Sequence, residues 1–468
     1  MNVEQIRLGF LKLVAEQDHT ILDRAPLVLR DDPTTLFTGS GMQPLVPFLL
    51  GAEHPAGTML ADVQPCLRSQ DIEEVGDNRH TTFFEMIGNW SLGGYFKDEQ
   101  IRMVWRFLVE IVGLDPGRLY VSVYSGDDQL GVPRDDESAR IWTELFTAAG
   151  VSAEHIVLDT EERGNDEGHD GARICFYREK NWWSRGGGPS TMPIGDPGGP
   201  DTEVFYFFPQ VEHDTSFGRY THPNSDGGQF LEIGNSVFMQ FTRTETGLTE
   251  LAKRNVDFGG GLERIAAAAI DSPDVYRVST LWPLIEKLQT LSGLSYEDNT
   301  HAMRIIADHI RGAVFVIADG VKPASKEHGY VLRRLIRRAI RFAHALELPD
   351  AAVGEVARVV IDVYADTYSE IARATEDILG TLAKEERSFR RTLGKGLREL
   401  RHLSKENRPI TGADLYTLYD RFGFPVELSS EEAISRGLTL TDDWRAEFDE
   451  CIRAQRERSQ ASSRLGVS

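Results

Sequence analysis

The chain has 468 residues, 41% apolar and 26% charged, the balance of a globular protein with a sizeable core. Its 51 Lys and Arg against 73 Asp and Glu leave a net charge of −22, which argues against a general nucleic-acid coat protein; any polyanion must meet a local basic patch. Cys66, Cys175 and Cys451 lie far apart with no CxxC pair, which excludes a disulfide framework and a cysteine-rich zinc site and fits a reducing compartment.

In chain order, Val3, Ile6, Phe10, Leu13 and Val14 share one helical face. Glu4 and Arg7 interrupt the first ten residues, so no signal peptide is read there, and no apolar run approaches the roughly 18 residues of a membrane span. A cytoplasmic protein with no membrane partner is expected. Residues 59–67 and 81–87 read as strands around the polar stretch 68–80; 99–112 is helical; 119–124, 203–208 and 230–241 are strands by their Val, Ile and Phe content. The stretch 184–200 holds six glycines and four prolines, too many for a simple turn. Strands joined by long loops, with helices kept apart from them, predict an antiparallel sheet and an α+β fold. Neither a GxGxxG after a first strand nor a GxxxxGK[ST] occurs. Three zones follow from composition: 1–270 mixed, 271–405 mostly helical, and 406–468 with shorter helices and turns.

Four features carry chemistry. Arg68 ends one strand and Phe84 sits in the next, so a guanidinium able to hold a phosphate or carboxylate faces a ring able to stack a base; a hairpin with charges in water reads equally from the spacing. Asp257 precedes Gly259, Gly260 and Gly261, where a strand runs into a helix: a close approach for an anionic ligand, or a tight turn. Arg333, Arg334, Arg337, Arg338 and Arg341 follow one another with no acid between them, and four of them fall on one helical stripe beside Leu332, Leu335, Ile336 and Ala339. Such a stripe fits either phosphate-backbone binding or salt bridges to acids elsewhere in the fold. Asp308 and His309, with Arg304 and Arg311, read as a structural network and not as a zinc site. Glu232 opens an apolar strand, and Trp182 and Trp183 suit a core or a pocket wall equally.

Together these motifs resemble the alanyl-tRNA synthetase family of class II aminoacyl-tRNA synthetases. Arg68 with 79–91 is similar to motif 2, 256–265 to motif 3, 232–240 to the strand between them, and 32–38 with Gly41 and Met42 to the N-terminal signature. The likeness continues through 304–311, 329–334 and 418–425, in family order over nearly the whole chain. The resemblance implies an antiparallel catalytic domain over 1–270, then a helical tRNA-recognition domain over 271–405 with a C-terminal helical part over 406–468. It implies activation of alanine by ATP with Mg²⁺, then transfer to the acceptor stem of tRNA(Ala), with no zinc in this chain. A paralogue serving a carrier protein or small molecule is the alternative. By match to the motifs, Arg68, Asp257 and Arg264 are catalytic, and Arg68, Phe84, Met86, Glu232 and Arg264 bind ATP, with Glu232 a Mg²⁺ ligand. Trp183, Asn235, Val237, Asp257 and Gly259 hold alanine; Ser325, Asp420 and the five arginines meet tRNA. Departures are a motif 2 loop (68–76) without a Gly-Lys-His stretch, Gly234 for a usual Trp, Gly260 for a common Met, and Ser325 for Asn. Ser325 also fits a cap of the arginine-bearing helix. The chain stops where the family's editing and C-terminal domains begin, so a naturally short or a truncated chain is expected.

Overall fold

Asn2 starts the first helix, α1 (Val3–Glu16): its side chain accepts from the Gln5 backbone N–H at 2.8 Å while Gln5 Oε1 accepts from the Asn2 N–H at 3.0 Å. This computed structural model describes residues 1–29, 35–185, 187–406 and 408–465, in two units, 1–286 and 287–468. Residues 32–34 of the N-terminal signature lie outside the described ones.

The first unit holds the strands β1 (Thr20–Ile21), β2 (Met59–Leu67), β3 (Phe83–Leu92), β4 (Leu119–Tyr124), β5 (His155–Asp159), β6 (Ile174–Tyr177), β7 (Trp182–Trp183), β8 (Pro197–Phe207), β9 (Phe230–Thr244) and β10 (Gly247–Gly261). One sheet runs β1-β2-β3-β10-β9-β8-β4-β6-β5, with β7 beside β8. From β2 to β4 every pairing is antiparallel, as the resemblance implies. The edges differ: β1 pairs with β2, and β6 with β4 and β5, in parallel. Parallel neighbours need a crossover: after α2 (Val46–Leu49) and α3 (Lys97–Trp105), the helix α5 (Glu161–Glu167) joins β5 to β6, and the helix α4 (Asp136–Ala148) with β5 and α5 lies between β4 and β6. The predicted helix over 99–112 is α3 followed by a π-helical turn at Arg106–Ile111. β10 runs without a break into α6 (Leu262–Ala269).

Helix α7 (Trp282–Ser292) carries the division at 286/287. The second unit contains α8 (Thr300–Ala318), α9 (Glu327–Ala345), α10 (Ala352–Tyr364), α11 (Ser369–Arg373), α12 (Thr375–Leu403), α13 (Gly412–Phe422), α14 (Val426–Ser435) and α15 (Trp444–Leu465). Helix α8 is buried on almost every side from Met303 to Ile317, so it is the axis against which α9, α10 and α12 pack. Among the described residues no helix is long and apolar enough to cross a membrane.

Candidate active site

Strand register assembles the site. Paired residues share a face, so Leu60, Trp90, Asp257, Val237 and Asp201 form one row across five strands. Asp62, Gly88, Gly259, Asn235 and Glu203 form the next row, and Gln64, Met86 and Gly261 the beginning of a third. On β9 the register shifts opposite Val204 and Phe205, and Phe205 pairs with Glu232. The extra residue turns Glu232 to the same face as Asn235.

A cleft opens over this face. Of the expected site residues it brings together Arg68, Phe84, Met86, Glu232, Gly259 and Arg264; Asp71, Arg79 and His80 join them from the polar stretch before β3. The Arg68 guanidinium lies 4.9 Å from the centre of the Phe84 ring, and its Nε donates to the Gly39 carbonyl at 3.1 Å. Arg264 Nη1 donates to the Glu232 carbonyl at 3.2 Å and stands 3.5 Å from its carboxylate. Arg79 brings a third guanidinium, anchored at 3.4 Å on the Phe230 carbonyl. His80 is held at 2.6 Å by Asp77, whose hydrogen bond raises the imidazole's pKa. Three guanidinium groups around a ring suit a polyanionic, aromatic ligand.

Asp257, Asn235, Val237 and Trp183 do not line this cleft. Val237 and Trp183 belong to an apolar cluster with Leu60 and Trp90. Asp257 is 7% exposed and accepts the Trp90 indole N–H at 2.7 Å. Burial pushes its pKa up to about 7, against that single hydrogen bond. A Cβ on Gly88 would stand 2.6 Å from Trp90 Cη2, so glycine is what lets the indole lie over β3 to reach Asp257. Asn235 donates to Asp201 at 3.4 Å, and its Oδ1 has no partner among the described residues. Asp62 is buried, with Oδ1 unpartnered and its pKa raised by desolvation, whereas Asn235 is half-buried. Thus Asp62 and Asn235, each with an unpartnered acceptor oxygen, stand on either side of Gly88 and Gly259 in this row.

Trp90, Asp62, Arg79 and Asp201 were not singled out from the sequence. Trp90 stood inside the motif 2 stretch, and a lone Trp opposite a buried Asp was the available signal.

The comparisons agree on one family. A family model described as "tRNA synthetases class II (A)" matches residues 5–466. The alanine–tRNA ligase of Treponema pallidum (strain Nichols) is 38% identical over an alignment covering 100% of this chain and 73% of that protein. The chain belongs to the class II tRNA synthetases. The alanine–tRNA ligase of Borreliella afzelii (strain PKo) is 36% identical over 94% of this chain and 70% of its own length. That of Listeria welshimeri serovar 6b is also 36% identical, and this synthetase chain spans 49% of its length.

In the helical unit of this class II synthetase the arginine stripe needs a correction. Arg338 and Arg341 are 2% and 7% exposed, at 2.9 Å from Glu431 and 2.5 Å from Glu432. Arg337 meets Glu385 at 2.6 Å and donates to the Gly423 carbonyl, and Arg333 lies 3.7 Å from Glu385. Arg334 is half-buried on the same helix. Helices α12 and α14 set acids against Arg333, Arg337, Arg338 and Arg341, so this part of the stripe is an internal ion-pair seam and not an open phosphate-binding face. His309 joins it, bonded to Asp308 at 2.9 Å and to Arg338 at 2.9 Å, a structural network as expected. Ser325 is exposed but caps nothing: the N-cap of α9 is Lys326, without a side-chain hydrogen bond. Asp420 is exposed on α13, and Tyr330 to Glu427 at 2.8 Å ties the start of α9 to α14 just beyond it.

Proposed function

We propose that this chain carries the aminoacylating activity of an alanine–tRNA ligase. The observation that carries the reading is one sheet face joining three cleft arginines and Phe84 to a buried, ring-bonded Asp257, in a chain related over its whole length to alanine–tRNA ligases. Alanine and Mg-ATP are the first substrates. An alanine carboxylate oxygen attacks the α-phosphorus of ATP, pyrophosphate leaves, and the terminal hydroxyl of tRNA(Ala) then attacks the adenylate carbonyl and releases AMP. Positioning and charge stabilisation supply the catalysis.

Phe84 stacks the adenine, with Met86 beneath it. Arg68 bridges the α-phosphate and the alanine carboxylate, and Arg264 holds the ATP tail. Glu232, with its side chain 40% exposed at the cleft and 3.5 Å from Arg264, fits Mg²⁺, which takes one or two carboxylates besides substrate phosphates. Asp257 pairs with the ammonium, and Asn235 turns its free Oδ1 to the same group. Trp183, Val237 and Gly259 shape a space for one methyl. Ser325 and Asp420 stand at the acceptor stem, the helical unit recognising tRNA. We place the reaction in the cytoplasm, where the three free cysteines stay reduced.

Charging of tRNA(Ala) transcripts with labelled alanine tests this. We expect ATP-dependent alanylation, with weakened discrimination between G·U and G·C acceptor pairs because Ser325 is shorter than the family's Asn. Robust adenylate formation with neither transcript charged contradicts the tRNA step.

A further inference from the structure

Helix α12 carries a second basic stripe, and this one is open. At about 100° per residue, Lys384, Arg387, Arg391, Lys395 and Arg398 fall within an arc of about 80°. All five side chains are exposed, and none has an ion pair or hydrogen bond to an acid among the described residues. Three acids of the helix are engaged elsewhere: Glu385 with Arg337 at 2.6 Å, Glu386 with Arg390 at 2.9 Å, and Asp377 with Lys322. The half-buried Glu399 flanks the row, and Asp350 and Glu386 line a cavity beside Arg387 and Arg391. The opposite face buries Leu382, Phe389, Leu393, Leu397 and Leu400, so packing fixes which side the cations present.

We propose that this α12 stripe is the phosphate-backbone contact through which the chain holds tRNA, an inference that rests on the reading as a tRNA ligase. Five cations in one line on a chain of net charge −22 create the local basic patch a polyanion needs. From Lys384 to Arg398 the helix rises about 21 Å, long enough for its cations to meet several phosphates of one strand. Long cations at i, i+3 and i+4 stand about 5–6 Å apart, a rigid comb that reads backbone and not bases. No large apolar side chain is exposed on α12, which separates the stripe from an interfacial membrane helix, where apolar and basic faces adjoin.

The test uses the full chain, an Arg387→Ala/Arg391→Ala/Arg398→Ala triple variant, and an Arg358→Ala/Arg373→Ala control that removes exposed arginines of the same unit elsewhere. Binding of a tRNA(Ala) transcript is titrated between 50 and 200 mM KCl, with alanine-dependent ATP–pyrophosphate exchange, which needs no tRNA, measured on the same samples. The triple variant should bind at least about 10-fold more weakly at 100 mM, with a log–log salt slope flatter by about 2, at roughly 0.7 per lost phosphate contact. The control should match the parent chain, and exchange should be equal in all three. Equal affinity and slope in the triple variant and the parent overturn the proposal, as does stripe-dependent binding to phosphatidylserine vesicles without any to tRNA. Stripe-dependent tRNA binding in a chain without exchange supports the stripe while removing the proposed activation step.

Discussion

Asp257→Asn should reduce alanine-dependent exchange by roughly 30- to 5,000-fold, the equivalent of about 2–5 kcal/mol for one partner lost from a desolvated charge pair. The amide keeps an oxygen for the Trp90 indole, which donates at 2.7 Å in the parent, so the local fold survives while the negative charge disappears. The pH dependence separates charge from shape. Because burial pushes the carboxyl up to about 7, it is neutral in the free protein below that pH and must ionise to hold an ammonium. The KM for alanine should therefore rise about tenfold per pH unit below 7 in the parent and stay level in the variant. Stability moves the other way. A carboxyl raised in the folded state contributes stability that is complete below about pH 4 and is lost as pH rises through 7, so the amide variant should be the more stable of the two at pH 8. A variant with full exchange and the parent's pH profile removes Asp257 from the site.

Arg7→Ala should destabilise the sheet unit by about 3–5 kcal/mol, measured as a lower urea midpoint at unchanged slope. Arg7 on α1 grips Glu85 on β3 with two bonds, at 2.5 and 2.8 Å, and the two side chains are 4% and 0% exposed. Truncation leaves a carboxylate buried without its main cation, which is far costlier than losing a surface pair. The consequence reaches the cleft through the strand's period of two: Glu85 points to α1 because Phe84 and Met86 point to the ligand side. Arg7→Leu combined with Glu85→Leu should recover much of the loss, since an apolar pair of similar volume removes the orphan charge. A single-variant change below about 1 kcal/mol contradicts the argument.

What could be read from sequence was what is local. β2 and β4 occupy the expected 59–67 and 119–124 because each is a short β-rich run between polar stretches. α1 follows the face set by Val3, Ile6, Phe10, Leu13 and Val14. The cleft residues came from motif likeness, since no spacing rule brings Arg68 to Arg264. What escaped was set by distant partners. A helical wheel places Arg338 and Arg341 on one side of α9 but says nothing of what covers that side, and the acids that do so lie 91–93 residues away on α14. On α12 the open stripe is hidden among interleaved glutamates, and only packing shows that Glu385 and Glu386 are used inward. Trp90 and Asp257 meet across 167 residues through strand register, and the bulge that turns Glu232 toward the cleft leaves no mark in composition.

Amino-acid-dependent ATP–pyrophosphate exchange, run with alanine, glycine, serine and leucine on the purified chain, tests the central claim most directly. The account predicts fastest exchange with alanine, glycine and serine slower by roughly 10- to 200-fold, because one methyl or hydroxyl is worth only about 1–3 kcal/mol in a small pocket, and none with leucine. Exchange absent with alanine, or as fast with leucine as with alanine, would contradict it.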